Sequence, residues 1–572
     1  MKKPVAVFEN FSFQYKAQNK PTLADINLTI YQGEKVLILG ASGSGKSTLA
    51  NCINGLIPFS YPGTIGGSCK VNGDETRSLS VFELSRAVGT VLQDSDAQFV
   101  GLSVGEDIAF SMENDLSPRE KMREEVWKNA LAVGMENMLG ALPFHLSGGQ
   151  KQKTALAGVL GKKTNILIFD EPLASLDPVT GTVAIDLIDK ITKEYQYTTI
   201  IIEHRFEDVL FRPVDRVILL DQGKIVADTT ADTLLRGDML AAYGIREPHY
   251  ISAMKYAGCD LATVPEIDKP DTLQLNEDFR EKLMAFFRHE EKAVPKEYGE
   301  ELIRAEGVSC SYDLGGGLSM EAIKNVSFSV CRGERIAFIG KNGAGKSTMA
   351  KLICGICRPS KGAIYLGGED YKHLSVTEIG GKAGYVMQDP NQMLVKDIIK
   401  DEVELGLRLR LLPGDEISRR AQAAMETCEL YRMRNWPTGA VSYGQRKRIT
   451  VASVLAQEPD LIIMDEPSAG QDYRHYMEII GFINRINATL GKTIIFITHD
   501  MYLAIENTDR AVVFADGNII ADGNIFAILS DSRIVAEAHL KQTSLHILAE
   551  KLGLPGDKCI ERFISYERGR RE

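Results

Sequence analysis

A lysine–serine pair occurs twice in this 572-residue chain, each time in a pattern suited to phosphate chemistry. Lys46-Ser47 ends the segment Gly40-Ala-Ser-Gly-Ser-Gly-Lys-Ser47, and Lys346-Ser347 ends Gly340-Lys-Asn-Gly-Ala-Gly-Lys-Ser347. Glycines let such a loop wrap an anion with backbone N–H groups and a helix N-terminus. The lysine can neutralise the outer phosphates, and the serine hydroxyl can ligate Mg²⁺. The expected nucleotide contacts are Gly40, Ala41, Ser42, Gly43, Ser44, Gly45, Lys46, Ser47 and Thr48, and Gly340, Lys341, Asn342, Gly343, Ala344, Gly345, Lys346, Ser347 and Thr348.

An aspartate–glutamate pair also occurs twice. Asp170-Glu171 and Asp465-Glu466 each follow four apolar residues and precede a proline. An aspartate at the end of an apolar strand can hold a Mg²⁺ shell. The glutamate beside it can polarise an attacking water as a general base. Together with the two loops, these pairs predict ATP hydrolysis with ATP and Mg²⁺ as cofactors.

Histidine and tyrosine residues extend the repeated pattern. His204 and His499 each end an apolar run, and they are predicted to face the γ-phosphate. Tyr15 and Tyr312 lie upstream of their loops, where an aromatic face could stack on adenine. Either tyrosine alone would be interpreted as a core residue, and its position within the duplication is what favours the adenine contact.

The elements that must position these residues are also duplicated. Each phosphate loop follows an apolar strand and opens a helix, which is the context that the motif requires. Gln388 lies 295 positions after Gln93, and His499 lies 295 positions after His204. Short apolar strands alternate with helical stretches, which predicts an α/β fold with a parallel sheet covered by helices. A mainly helical insert is expected at about residues 103–140, and again at 398–435.

Composition limits the function classes. A net charge of −11 argues against nucleic acid as a partner, because phosphate backbones demand a basic surface. No run approaches the 18 apolar residues of a membrane span, and no secretory segment opens the chain. Nine scattered cysteines suit reduced thiols, and Cys354-Gly-Ile-Cys357 is interpreted as core or loop residues because the first copy lacks it.

Two further segments, Leu146-Ser-Gly-Gly-Gln150 and Val441-Ser-Tyr-Gly-Gln445, complete a resemblance to the ABC-type ATPase family over about residues 5–240 and 303–530. The resemblance implies two tandem P-loop (RecA-like) ABC ATPase domains, each with a helical subdomain. It implies that they pair head-to-tail within the chain, with ATP between a phosphate loop and the opposite signature segment. It adds Gln93 and Gln388 as catalytic and metal-contacting residues. The signature residues that it adds as nucleotide contacts are Ser147, Gly148, Gly149, Gln150, Ser442, Gly444 and Gln445.

The segments after the two glutamines, 93–100 and 388–395, resemble ATPases of energy-coupling-factor (ECF) transporters. That likeness implies a transmembrane scaffold, a separate substrate-binding membrane subunit, and peripheral attachment to the cytoplasmic face. The transported solute would be a vitamin, a metal ion or another small molecule. Two alternatives stay open: a soluble tandem ABC ATPase acting on ribosomes, and a tandem sugar-importer ATPase.

The expected organisation is a first ATPase domain at 1–245, a partly helical linker at 246–300, a second ATPase domain at 301–535 and a charged tail at 536–572. Glu106, Asp107, Asp401 and Glu402 are expected to dock basic residues of the scaffold. Tyr443 replaces the Gly148 of the first signature, and its bulk is expected to disturb the signature backbone. The site completed by that signature should therefore turn over more slowly.

Overall fold

A computed structural model describes residues 2–94, 96–160, 164–174, 176–289, 298–315 and 318–571. The chain divides into a first unit, Met1–Phe279 with Asp472–Arg474, and a second unit, Arg280–Gln471 with His475–Glu572. Residues 290–297, within the expected linker, lie outside the described residues. The four domain boundaries expected from the sequence stay a prediction.

The first unit contains strands and helices in alternation. Its strands β1 to β10 are Pro4–Tyr15, Leu23–Tyr31, Lys35–Leu39, Gly63–Val71, Asp74–Glu75, Val88–Val91, Ile166–Asp170, Thr198–Ile202, Arg216–Asp221 and Lys224–Thr229. Helices α1 to α12 are Lys46–Ile53, Leu56–Phe59, Val81–Ala87, Val104–Asn114, Arg119–Val133, Gly148–Leu160, Pro178–Tyr195, Phe206–Val209, Ala231–Arg236, Met239–Ala242, His249–Tyr256 and Glu277–Arg288, the last of which crosses into the second unit.

The second unit repeats this sequence of elements. Its strands β11 to β20 are Glu301–Gly315, Leu318–Cys331, Arg335–Ile339, Lys361–Leu366, Glu369–Asp370, Ala383–Val386, Leu461–Asp465, Thr493–Ile497, Arg510–Ala515 and Asn518–Asn524. Helices α13 to α23 are Lys346–Ile353, Val376–Lys382, Ile399–Leu409, Gly414–Thr427, Tyr443–Leu455, Tyr473–Leu490, Met501–Asn507, Ile525–Ser530, Ser532–Glu537, Ser544–Leu552 and Gly556–Arg571.

The main sheet has the same strand order in both units. Among the described strands the order is β10-β9-β3-β8-β7-β6 in the first unit and β20-β19-β13-β18-β17-β16 in the second. In each sheet the four pairings other than the β9–β10 or β19–β20 hairpin are parallel, and the hairpins are antiparallel. Strands β3, β8, β17 and β18 are buried along their whole length, as expected for parallel strands covered on both faces.

A helical subdomain follows strand β6 in the first unit and β16 in the second. It consists of α4, α5 and α6, and of α15, α16 and α17. In each set the first helix packs on the third, so the helix that carries the signature segment has a fixed place against the helix that follows Gln93 or Gln388. The expected α/β architecture with two helical inserts is confirmed.

The C-terminal helices and the end of the linker helix pack together in the second unit. Phe286 of α12 lies edge-on to Tyr566 of α23, with ring centroids 5.3 Å apart, and Arg562 lies over both rings. The α12 side chains Leu283 and Phe287 are buried. Within the described residues, no helix has the length and hydropathy that a membrane span requires.

Candidate functional site

The carboxyl ends of three adjacent parallel strands bring the predicted residues to one edge of each sheet. In the first unit β3 leads into the phosphate loop, β7 ends at Asp170, and β8 ends two residues before His204. Asp170 pairs in register with Ile202, and Asp465 pairs in the same way with Ile497. The pleated register therefore places the carboxylates beside the loops in both units, as the repeated spacing predicts.

The phosphate loops have matching backbones. Gly45 and Gly345 adopt φ values of 104° and 105°, which favour glycine. A Cβ at Gly45 would lie 3.0 Å from the Thr22 carbonyl oxygen, and one at Gly345 would lie 2.7 Å from that of Ala322. Glycine is thus required both by conformation and by the close approach of a neighbouring strand.

The two loop lysines are buried and fold over their own loops. Lys46 Nζ donates to the carbonyl oxygens of Gly40 and Ala41 at 2.8 and 2.9 Å, and Lys346 Nζ donates to those of Gly340 and Lys341 at the same distances. Burial lowers the pKa of Lys46, although Glu171 and Asp170 oppose that shift. A cation held inside a ring of carbonyls is positioned to bind a polyanion that enters the loop.

A hydroxyl and a carboxylate meet at the base of each loop. Ser47 Oγ donates to Asp170 Oδ1 at 3.2 Å. In the second unit Asp465 accepts from Ser347 and from Tyr385. Burial raises the pKa of both aspartates. Hydroxyl and carboxylate oxygens are the hard ligands that Mg²⁺ prefers, with water in its remaining positions.

Glu171 contacts two of the predicted residues in the first unit. Gln93 Nε2 donates to Glu171 Oε2 at 2.6 Å, and His204 Nδ1 lies 3.8 Å from Glu171 Oε1. Burial raises the pKa of Glu171, with the neighbouring Glu203 adding to the shift and His204 opposing it. The glutamate adopts φ = 48°, which turns its side chain away from the strand direction and towards these partners.

Glu466 has different partners in the second unit. His499 Nδ1 lies 2.6 Å from Glu466 Oε1, and Thr498 Oγ1 donates to Oε2 at 3.2 Å. Burial would raise the pKa of Glu466, but His499, Lys346 and Thr498 together outweigh it and hold that pKa below its usual range. The backbone is unchanged, with φ = 44°. The two candidate bases therefore share a conformation and differ in their hydrogen bonds.

Glu203, a residue with no role predicted from the sequence, explains part of the difference between the hydrogen bonds of Glu171 and Glu466. Its side chain is 0% exposed and accepts from the backbone N–H groups of Leu173, His204 and Arg205. Thr498 occupies the matching position. In the second unit the N–H of His499 instead donates to Glu466 itself. An acid that directly follows the apolar run Ile200–Ile202 is the signal that could have identified it.

The signature segments begin helices α6 and α17. The Ser147 N–H donates to Gln150 Oε1 at 2.9 Å, and the Ser442 N–H donates to Gln445 Oε1 at 2.9 Å. Gly148 and Gly149, like Gly444, lie in the first turn of their helices. Tyr443 also lies there with no positive φ, so the expectation that it disturbs the signature backbone is wrong. A first helical turn accepts tyrosine because its backbone is right-handed.

Tyr15 and Tyr312 lie close to the ends of their phosphate loops. Tyr15 hydroxyl is 3.1 Å from Thr48 Oγ1, and Tyr312 hydroxyl donates to Thr348 Oγ1 at 3.3 Å. Each tyrosine is half-buried. The ring is thereby fixed beside the first turn of α1 or α13, where a base attached to a bound phosphate chain could stack.

The four acids expected to dock a scaffold divide into two pairs. Asp107 accepts from the N–H groups of Val100 and Gly101, and Glu402 accepts from those of Val395 and Lys396. Asp107 and Glu402 therefore cap the loops that precede their helices, and the docking role expected for the four acids stays a prediction. Glu106 and Asp401, one position earlier, are exposed, and Glu106 also accepts from the N–H of Leu102 at 3.0 Å.

The site fits a nucleotide with a divalent cation. It offers glycine-lined loops, a buried lysine, and an oxygen donor pair on each sheet. Within the described residues, no cluster of three His, Cys, Asp or Glu side chains forms a complete metal cage. Cys354 is not part of one: it is buried, and burial raises the pKa of its thiol to about 12. A partly hydrated Mg²⁺ that arrives with phosphates needs no such cage.

A tandem phosphate-loop fold with an Asp-Glu pair at each sheet edge defines a nucleotide hydrolase with two cassettes. The family model described as ABC transporter matches residues 23–174 and 323–469, and the model described as ATP-binding cassette cobalt transporter matches 237–309. The chain belongs to the ABC transporter ATP-binding family. It is an ABC ATPase with two nucleotide-binding cassettes in one chain.

Relatives match the chain over its full length. An Enterococcus faecalis protein, named as an ABC transporter ATP-binding protein, is 49% identical over 99% of both chains. A Clostridium perfringens protein with a similar name is 48% identical over 100% of both. A solved structure, cbiO1 from Clostridium perfringens, titled as part of the ABC transporter complex cbiONQ, is 30% identical. It spans 45% of this chain and 100% of its own, with a TM-score of 0.38.

Proposed function

We propose that the chain is the ATP-hydrolysing motor subunit of a membrane importer, attached to the cytoplasmic face of the membrane through a separate transmembrane scaffold. A separate membrane subunit would bind the solute. The observation that carries this proposal is a candidate phosphoryl-transfer site present in both units, each of which also exposes apolar side chains at matching positions. The match of residues 237–309 to a cobalt-transporter family supports the transport role.

Each side chain of the site has a defined task in this proposal. Lys46 and Lys346 would neutralise phosphate oxygens, and Gln93 and Gln388 would orient the attacking water. Glu171 and Glu466 would take its proton as general bases, while His204 and His499 would stabilise charge at the γ-phosphate. Ser47 with Asp170, and Ser347 with Asp465, would hold Mg²⁺. When bound, that ion neutralises charge on the phosphates.

The surface proposed for docking is duplicated. Val100 and Val395 are 61% and 69% exposed, and they follow Gln93 and Gln388 in the sequence. Leu116 and Leu411 are both 90% exposed and both adopt left-handed backbones, at φ = 54° and 56°. A leucine held in that conformation in water costs free energy without gaining burial, so a partner surface is the better explanation.

The occupant of this surface is proposed to be a short helix of the scaffold with an apolar face and basic ends. The apolar face would cover the valine and the leucine. Glu106 and Asp401 lie six positions after these valines and would supply negative charge for the basic ends. One such helix for each unit matches the duplication.

The cassettes are proposed to pair head-to-tail within the chain. Fusing two domains turns their association into an intramolecular step and raises the effective concentration of each for the other. The solute is proposed to be a small molecule or ion. The description of the matched cobalt-transporter family makes a divalent transition metal the first candidate to test.

The test is co-purification of the chain from detergent-solubilised membranes, followed by identification of the partner chains. We expect the full chain to retain a multi-span partner, and a Leu116→Asp/Leu411→Asp variant to lose it. The matched control is Leu490→Asp, since Leu490 is 46% exposed on α18, outside the proposed surface. Retention of ribosomes instead of a membrane partner would overturn the proposal in favour of a translation factor, and retention of neither would also overturn it.

A further inference from the structure

The residue two positions after each signature segment differs between the units and contacts a different loop. Gln152 of α6 donates through Nε2 to the Pro172 carbonyl oxygen at 2.6 Å. Pro172 directly follows Glu171, so this bond connects the signature helix to the turn that carries the candidate base. Lys447 of α17 is the matching residue in the second unit.

Lys447 instead connects its helix, α17, to the loop that contains Gln388. Its Nζ donates to the carbonyl oxygens of Met387 and Gln388, both at 2.7 Å, and the side chain is only 2% exposed. A buried ammonium that finds two carbonyl acceptors is strongly held, because leaving it unpaired would cost its full desolvation.

Neighbouring residues reinforce the same connection. Tyr443 hydroxyl donates to the Gln388 carbonyl oxygen at 3.4 Å, and Arg446 Nη1 donates to Asn391 Oδ1 at 2.8 Å. Gly148, in place of Tyr443, has no side chain to make such a contact. The signature helix of the second unit is thus joined to residues 387–391 by the side chains of Tyr443, Arg446 and Lys447.

The glutamines Gln93 and Gln388 also differ in their hydrogen bonds. Gln93 directs its amide at Glu171 in the first unit. In the described part of the second unit no hydrogen bond is found for the Gln388 amide, while the Gln388 carbonyl is held by Lys447 and Tyr443. The loop of the second unit is therefore fixed by its main chain, and that of the first by its side chain.

We propose that Gln152 and Lys447 are positioning residues that couple the signature helix to different loops: to the catalytic turn in the first unit and to the glutamine loop in the second. A displacement of the glutamine loop would move the signature helix directly in the second unit. In the first unit the same helix would follow the Glu171–Pro172 turn. This inference goes beyond the proposed transport function and needs no membrane partner for its test.

The experiment exchanges the two residues in the full chain and measures amide hydrogen exchange by mass spectrometry. Lys447→Gln should raise exchange at least fivefold in peptides covering 385–392 and leave 168–174 unchanged. Lys447→Arg should restore protection, because a guanidinium also donates to two carbonyls. Gln152→Lys should raise exchange at 168–174 and leave 385–392 unchanged.

Turnover provides a second reading. Lys447→Gln should change kcat for ATP about threefold or more with KM within twofold, since Lys447 donates to the loop of Gln388 and not to the phosphate loop. Unchanged exchange at 385–392 in Lys447→Gln would overturn the proposal. So would a rise in exchange across the whole second unit with a lower Tm, because that pattern is loss of packing. Failure of Lys447→Arg to restore protection would contradict it as well.

Discussion

Gln93 Nε2 lies 2.6 Å from Glu171 Oε2, whereas the matching carboxylate of the second unit, Glu466, lies 2.6 Å from His499 Nδ1. Two sites built on the same strands thus hold their candidate bases through different neighbours. In the first unit the side-chain amide of Gln93 restrains the base. In the other, an imidazole does so, and this difference leads to separate expectations for the two sites.

Gln93→Ala should lower ATP turnover more than Gln388→Ala. Removing Gln93 deletes a hydrogen bond to a charged group, worth about 1.5 kcal/mol or roughly tenfold in rate. Removing Gln388 deletes no such bond to Glu466. Steady-state ATPase assays of both variants at saturating ATP would measure the ratio, and a greater loss from Gln388→Ala would contradict the expectation.

Glu171→Gln and Glu466→Gln should each reduce hydrolysis at their own site by about 10²–10⁴-fold, the usual contribution of a general base. The double variant should be inactive and still bind ATP, since both loop lysines remain. Measuring phosphate release and nucleotide binding on the same samples separates the two effects. Loss of ATP binding in the double variant would count against the general-base role.

The pH at which ATPase activity is lost on acidification should differ between the Glu171→Gln and Glu466→Gln variants. A general base must be deprotonated, so a raised pKa shifts the loss of activity to higher pH, and a lowered pKa shifts it to lower pH. Glu171 has the raised pKa and Glu466 the lowered one. Glu466→Gln, which relies on Glu171, should lose activity at a higher pH than Glu171→Gln. Coincident pH–rate profiles would refute this.

Asp189→Asn should destabilise the first unit by about 3 kcal/mol, because it leaves the buried Lys35 ammonium without its charge partner at 2.9 Å. Asp186→Asn on the same helix is the control and should cost less than about 1 kcal/mol, as its pair with Arg212 is exposed. Urea unfolding of both variants would compare them, and equal losses would contradict a buried pair.

That pair also has a pH signature. Burial alone would raise the pKa of Asp189, but hydrogen bonds from Lys193 and Lys35 outweigh it and hold the pKa below its usual range. A carboxyl with a depressed folded-state pKa stabilises the fold above its unfolded pKa, and this stability is lost as pH falls through the folded value. The stability difference between wild type and Asp189→Asn should therefore shrink below about pH 4.

Arg568→Ala should destabilise the second unit by about 2 kcal/mol. Arg568 pairs with Asp509 at 2.7 Å and donates to the Glu506 carbonyl oxygen at the C-terminal end of α19. Arg533→Ala is the control, with an expected loss under about 0.5 kcal/mol, because Arg533 is 91% exposed in its pair with Asp531. Chemical denaturation should rank the two, and the reverse order would exclude the cap.

The fold and the strand-end residues were predictable because their signals are local and repeated. An apolar run before Asp170, or a glycine loop before Lys46, specifies a strand end or a helix start within a few residues. The contacts of Lys447 were not, since they depend on which loop the signature helix meets after folding. The basic run Arg446-Lys447-Arg448, against Lys151-Gln152-Lys153, was the available hint.

Tyr443 shows the opposite error. Its replacement of Gly148 suggested backbone strain, yet the position is an ordinary first helical turn, and the tyrosine instead gains a contact to Gln388. Sequence spacing also did not reveal that the carboxylates of Asp107 and Glu402 cap backbone N–H groups. Short-range hydrogen bonds of this kind compete with partner binding, and only coordinates reveal which one prevails.

Carrying both cassettes in one polypeptide lets matching positions of the two copies differ in sequence. A protein assembled from two copies of a single cassette would carry Glu203 and Lys447 in both, or in neither. Here Glu203 corresponds to Thr498 in the internal repeat, and Lys447 corresponds to Gln152. Each copy therefore carries its own residue at these positions without imposing it on the other. Linking the copies covalently thus removes the enforced symmetry of a homodimer and allows two sites of one ancestry to specialise at a fixed one-to-one ratio.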